Sequence, residues 1–230
     1  AMVGGARIER IDLWATHSTL ETQDDWTSFG VGMGGRLAPD WSGWANIEQT
    51  RRFGQDDIYG EVGVEHGMGD LSVFGSIGGA PDADYRAEVS IAMGARYELG
   101  DGGLAAVGDV RFSRYPVGEI WTVRPGLLME TADWGGEVRW IHLEDETGTG
   151  RDGWMMRAER AVIGDGTWVD VSASDAPETS EGFTVDVRAW GAGARHRCGD
   201  HVWVRLGYVH EDRGVFGDRD EVALSLTRRF

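Results

Sequence analysis

The stretch Ala87-Glu88-Val89-Ser90-Ile91-Ala92-Met93-Gly94-Ala95-Arg96-Tyr97-Glu98-Leu99 alternates without a break. Ala87, Val89, Ile91, Met93, Ala95, Tyr97 and Leu99 fall on one face of an extended strand, with Glu88, Ser90, Ala92, Gly94, Arg96 and Glu98 on the other. Because side chains point to opposite faces at successive positions, this is an apolar face backed by charges and small residues. The run is about twice the usual strand of five or six residues. A wall with lipid outside and a polar lumen inside needs such a strand, as in a transmembrane β-barrel.

The same period recurs along the chain. Phe29, Val31 and Met33 oppose Ser28, Gly30, Gly32 and Arg36; Ile58, Val62 and Val64 oppose Tyr59, Glu61 and Glu65. Further on, Val123, Pro125, Leu127 and Met129 oppose Thr122, Arg124 and Glu130, and Phe183, Val185, Val187 and Ala189 oppose Thr184, Asp186, Arg188 and Trp190. The pattern predicts strands at about 7–17, 25–37, 43–53, 57–66, 71–79, 87–99, 104–114, 119–130, 135–144, 153–163, 167–174, 182–195, 201–211 and 220–230. That makes an all-β, antiparallel, up-and-down barrel of fourteen strands, or twelve if two short hairpins fail. An even strand number puts both termini on one side, so long outer loops should alternate with short inner turns. Connections 18–24, 80–86, 145–152, 175–181 and 212–219 are long or acidic. The intervening ones, such as Gly67-Met68-Gly69-Asp70 and Gly100-Asp101-Gly102-Gly103, are rich in Gly and Asp, which tolerate tight turns.

Composition agrees. No run approaches the roughly 18 apolar residues of a membrane helix, and 36 Gly with 11 Trp in 230 residues suit a glycine-rich, aromatic-belted sheet. All 230 residues read as one barrel domain, with 1–6 flexible or carrying a short vector remnant, because Ala1-Met2-Val3-Gly4-Gly5 has neither the basic start nor the apolar core of a leader. The net charge of −17 argues against nucleic acid as a partner. All 22 basic residues are Arg, suited to rigid pairs with carboxylates in a polar lumen. A single Cys198 builds neither a disulfide nor a metal site, and nothing points to a cofactor or a bound metal.

The chain ends in Phe230, which closes the alternating run Val222, Leu224, Leu226, Arg228, Phe230. Outer-membrane barrels commonly end on an aromatic that their assembly machinery reads, so Phe230 is a candidate assembly signal. Aromatics are 10% of the chain, so the residue alone decides little. Trp26, Trp41, Trp44, Trp134, Trp154, Trp168 and Trp203 lie near predicted strand ends, where indole rings settle at headgroup level, and form a candidate membrane girdle.

Assigning faces by parity turns Arg10, Arg36, Arg52, Arg96, Arg111, Arg124, Arg139, Arg157, Arg188 and Arg205 inward, with Asp12, Glu48, Glu61, Glu65, Glu88, Glu98, Asp109, Glu137, Glu159 and Asp186. Opposed rows of these groups line a pore for polar solutes, or neutralise one another and fill the lumen. Acidic loops, including Asp82, Asp84, Asp145 and Glu146, form a solvated rim or bridge through calcium or magnesium to lipopolysaccharide phosphates. An enzyme is a further possibility: His17-Ser18, His142 with Glu144, and His210 with Glu211 and Asp212 all fall at the predicted outer end, where a His beside an acid can act as a general base. No nucleophile motif accompanies them.

The segments Asn46-Ile47-Glu48-Gln49-Thr50-Arg51-Arg52-Phe53-Gly54, Asp57-Ile58-Tyr59-Gly60 and Ala80-Pro81-Asp82-Ala83-Asp84-Tyr85 together resemble the YaiO family of outer-membrane β-barrel proteins. The family shows an RRFG hairpin followed by a PDADF/Y loop; here the usual aromatic-Leu-Pro continuation is replaced by Tyr85-Arg86-Ala87. The resemblance implies a bacterial outer-membrane location and, since family members are often encoded near glycan synthesis or export genes, a channel or export conduit for polysaccharide. Outer-membrane lipid, lipopolysaccharide, the barrel-assembly machinery and a glycan are the partners expected.

Overall fold

In a computed structural model, which describes residues 6–116, 118–164, 166–180 and 183–230, the chain forms one closed antiparallel barrel of fourteen strands. They are β1 (Arg7–Leu20), β2 (Trp26–Ala38), β3 (Trp41–Arg52), β4 (Gln55–Met68), β5 (Leu71–Gly79), β6 (Val89–Glu98) and β7 (Leu104–Tyr115). There follow β8 (Gly118–Glu130), β9 (Trp134–Glu144), β10 (Gly150–Ile163), β11 (Thr167–Ser180), β12 (Phe183–Cys198), β13 (Val202–Asp212) and β14 (Asp218–Arg229). Each pairs with its neighbours in sequence, and the ring closes where β1 meets β14, with Arg10 opposite Arg229 and Leu20 opposite Arg219. The vector-remnant reading of the N-terminus falls largely on residues 1–5, outside the described residues.

Strands of 9 to 16 residues are long enough to cross a bilayer at a tilt. Alternation sorts their side chains as the period requires. Phe29, Ile47, Val62, Ile77, Met93, Val138, Val171, Leu206 and Leu224 stand exposed on the outside, a continuous apolar surface that water would not tolerate and hydrocarbon does. Two levels of outward rings border it: Trp41, Tyr97, Trp134 and Phe230 towards the end that carries both termini, and Trp121, Trp140, Trp154 and Trp190 towards the other.

Strand ends run past the expected limits. The stretch expected as an outer loop at 175–181 is strand as far as Ser180, pairing with β12 from Thr167 opposite His196 up to Ser180 opposite Phe183. Above the apolar belt the outer face of this hairpin meets water in place of lipid, so the ladder continues while the apolar-outward alternation that marks a membrane strand in sequence stops. The β3–β4 turn is tighter than expected: Phe53 and Gly54 both have positive φ, 55° and 75°, as a two-residue type I′ hairpin demands.

Inside the wall, rings lie flat over glycines directly opposite them. Trp14 covers Gly30, Trp44 covers Gly63 and Phe74 covers Gly94, each pair in cross-strand register. A Cβ at any of these glycines would run into the facing ring. The rings therefore hug the wall instead of projecting across the lumen.

Candidate functional site: the lumen and its mouths

The lumenal charges are set by parity on neighbouring strands, and they pair along the wall. Asp109 on β7 accepts from Arg124 Nη2 at 2.8 Å and Arg139 Nη1 at 2.5 Å, and Arg139 also meets Glu137. Asp170 on β11 takes Arg205 at 3.0 Å and Arg157 at 3.3 Å; Glu159 takes Arg157 and Arg195, each at 3.1 Å. Arg111 spans from β7 to Glu61 on β4 at 3.2 Å, over a wall kept low by Ser76 and Gly78, and donates to Ser90 at 2.8 Å. Arg10 pairs with Asp12 at 2.7 Å, and Arg96 with Glu98 and Glu130 at 2.6 and 2.7 Å. Arg36 meets Glu9 at 3.9 Å near the terminal end, while Glu65 faces inward opposite Ser42. Among the described residues, ion pairs between strands join strands at most three places apart in the ring of fourteen. Networks of this kind offset the desolvation of each charge.

Three residues assigned to the lumen lie elsewhere. Asp186 and Arg188 have the parity of outward Trp190; Arg188 pairs with Asp175 at 3.2 Å and Asp186 lies 3.6 Å from Arg151, high on the outer surface. Their partner face carries Val187, which is buried. The apolar side of β12 turns inward here because the hairpin stands above the belt, where water and not lipid is outside. Glu88 precedes β6 and turns to Arg114 on the outer face at 3.6 Å.

Four of the seven tryptophans assigned to the girdle also face inward. Trp44 lies over Gly63 with Phe74 against its edge. Trp168 and Trp203 share the parity of Asp170 and Arg205 and flank Arg195. Trp26 is buried at the extracellular mouth. Nearness to a strand end does not fix the face, and only parity relative to a known lumenal residue separates these rings from Trp41, Trp134 and Trp154. The expectation also passed over Trp14, whose indole N–H donates to Glu48 at 2.8 Å, and over Asp170 and Arg195. Parity carried from Arg205 across the ladder identifies Asp170 and Arg195.

At the extracellular mouth the RRFG hairpin and the PDADY loop come together. Asp57 is buried and its carboxylate accepts three successive backbone N–H groups, Asp84 at 2.9 Å, Tyr85 at 3.0 Å and Arg86 at 2.8 Å. Tyr85 donates its hydroxyl to the Thr50 carbonyl, and burial pushes this phenol up to about 12, which keeps it a donor. The loop is thereby folded into the barrel, where Arg86 reaches Glu48 at 3.1 Å. Phe53 sets its edge against Trp26 and Tyr85. The guanidinium of Arg52 sits 4.3 Å from the Trp26 ring, which Arg213 and Arg219 also approach at 5.5 and 5.1 Å. Arg213 and Arg219 are held by Glu211 below. Glu178, from the projecting hairpin, binds Arg213 at 3.0 Å and closes a cavity of about 300 Å³ whose other walls carry Arg52, Tyr59, Tyr85, Arg111 and Tyr115. The upper lumen is narrowed from two sides.

The rim histidines do not assemble a nucleophile. His17 is outward, 3.5 Å from Asp25, whereas Ser18 is buried on the opposite face and donates to Glu221 at 3.0 Å. His142 pairs with Asp152, and His210 with Asp220, both at 2.9 Å on the outer surface. The acids named beside them in sequence, Glu144, Glu211 and Asp212, are not these partners.

Among solved structures, the fold is similar to a bacterial polysaccharide outer membrane secretin, with a TM-score of 0.64, 11% identity and 100% of each chain covered. It is similar to the CymD monoaromatic hydrocarbon channel (0.62, 9%, 100% of this chain and 89% of that one) and to the NanC porin (0.58, 9%, 96% and 100%). No protein-family model and no curated protein matches the sequence. A closed fourteen-stranded ring, apolar outside and charged within, defines a bacterial outer-membrane β-barrel.

Proposed function

We propose that the barrel is a conduit for polar solutes, with a glycan as its cargo. The observation that carries this reading is the pairing of lumenal charges between nearby strands along the wall, with one charge-lined cavity at the extracellular mouth and another at the terminal end. Fixed charges of both signs lining a pore favour hydrated polar solutes over apolar ones. The glycan is favoured by the resemblance to the YaiO family and by the polysaccharide secretin among the proteins of similar fold. In the same reading the two levels of outward rings sit at the two headgroup regions and lipopolysaccharide surrounds the upper rim.

Purified protein in a planar bilayer tests the proposal. Discrete conductance steps that grow with electrolyte concentration are expected. Folded protein that inserts and yields no steps overturns the conduit.

A further inference from the structure

The terminal end of the lumen holds a second cavity of about 350 Å³, lined by Trp168, Trp203, Arg195, Arg205, Arg229 and Ser225 among others. Among the described residues, no carboxylate lines it. Arg195 lies 4.7 Å from the Trp168 ring centre and 5.9 Å from that of Trp203, so one guanidinium is flanked by two indoles. The acids that hold these arginines stand behind them: Glu159 takes Arg195 at 3.1 Å and Asp170 takes Arg205 at 3.0 Å. Among the described residues, the buried Nε–H of each arginine nevertheless has no hydrogen-bond partner. Buried donors of this kind call for an acceptor.

The chemistry selects a ligand. Arginine forks match the planar carboxylate in two parallel hydrogen bonds. Indole faces take the flat C–H face of a sugar ring, and a serine hydroxyl offers a hydrogen bond to its rim. An inorganic anion would use the arginines and gain nothing from the two indole faces. We propose that this cavity is a subsite for a carboxylated saccharide of the uronate type, placed where a glycan enters the barrel from the side of the chain termini. The inference rests on the conduit reading and adds to it the acidic class of the cargo and the residues that grip it.

Calorimetric titration of the detergent-folded protein tests it, with trigalacturonate as the probe and maltotriose and inorganic phosphate as controls. Trigalacturonate should bind, with the controls at least about tenfold weaker. Trp203→Ala and Arg229→Gln should each weaken trigalacturonate by about tenfold, a loss typical of one good aromatic or charge-assisted contact. Trp203→Phe, which keeps a ring face, should restore most of the affinity, and Arg96→Gln, outside this cavity, should leave it within about twofold. If Trp203→Ala fails to fold, Trp203→Phe and Arg229→Gln carry the test, the second still expected to lose about tenfold. No binding, equal binding of phosphate or maltotriose, or unchanged affinity in Arg229→Gln overturns the subsite. Acid-selective binding without conductance would retain the subsite and refute the conduit; conductance without acid-selective binding would do the reverse.

Discussion

Asp57 holds Tyr85 in place. Its Oδ2 accepts the Tyr85 N–H at 3.0 Å, while the Tyr85 hydroxyl donates to Thr50, seven residues before Asp57 in the chain. A single carboxylate at the start of β4 thus pins the 80–88 connection inside the barrel. Asp57→Ala leaves three backbone amides without their acceptor and should cost about 1–3 kcal/mol, net of what water recovers. A lower urea midpoint for the detergent-folded protein, together with larger and noisier conductance steps, is expected. Unchanged current noise would show that the loop holds its position by other contacts.

Asp109 is the buried acceptor between Arg124 and Arg139. Removing it leaves two arginines facing each other with part of their charge uncompensated. Because both are partly exposed to the lumen, the loss should be about 1–3 kcal/mol, short of the 3–5 kcal/mol of a fully buried pair. The added positive charge should shift the reversal potential under a salt gradient towards anion selectivity. A shift towards cations would contradict the lumenal placement of this cluster.

Leu224 and Ser225 are neighbours in β14 that face opposite ways, Leu224 to the outer surface and Ser225 to the lumenal cavity. Leu224→Arg should destabilise the folded barrel by about 2–4 kcal/mol, the cost of arginine against lipid at mid-depth. Ser225→Arg should cost much less. Equal losses in lipid-vesicle unfolding titrations would be inconsistent with the assigned faces.

The 145–149 connection between β9 and β10 depends on one ionised carboxylate. Asp145 accepts the Thr147 hydroxyl at 2.6 Å, the Thr147 and Thr149 amides at 2.9 and 3.0 Å, and Arg151 at 3.1 Å. These bonds, led by the Thr147 hydroxyl, hold it well below the usual carboxylate range. A depressed folded value means the stabilisation is complete above the ordinary carboxylate range and is lost as pH falls towards the depressed value. Amide exchange at Thr147 and Thr149, corrected for intrinsic rates, should therefore keep its protection down to mildly acidic pH and lose it only under strong acid. Asp145→Ala should remove that protection at every pH.

Much of the wall was legible because the bilayer forces it to be. An outward residue such as Met93 must be apolar and its neighbour Gly94 must not project, so the period survives in the sequence. Legibility fails where the surroundings change. Along the upper part of β12 the outer side is wet and the inner side is packed, so the rule that apolar means outward inverts for Val187 and Arg188. It fails again for tryptophan, which faces outward at Trp190 and inward beside Arg195 at Trp168 with equal ease. The RRFG and PDADY segments stood out as words, but that Asp57 ties them together depends on a contact 27 residues long.

The rings that lie over Gly30, Gly63 and Gly94 bear on strand alignment as well as on the lumen. Each lies over the residue directly opposite it. A slip of two residues along β4 or β6 keeps every side chain on its proper face, yet it sets Glu61 or Glu65 under Trp44 and Ala92 or Arg96 under Phe74, a Cβ where the ring needs a vacancy. The pairs Trp44–Gly63 and Phe74–Gly94 work as keys cut for one alignment. Since stagger and strand number together set a barrel's radius, these keys also gauge the width of the barrel.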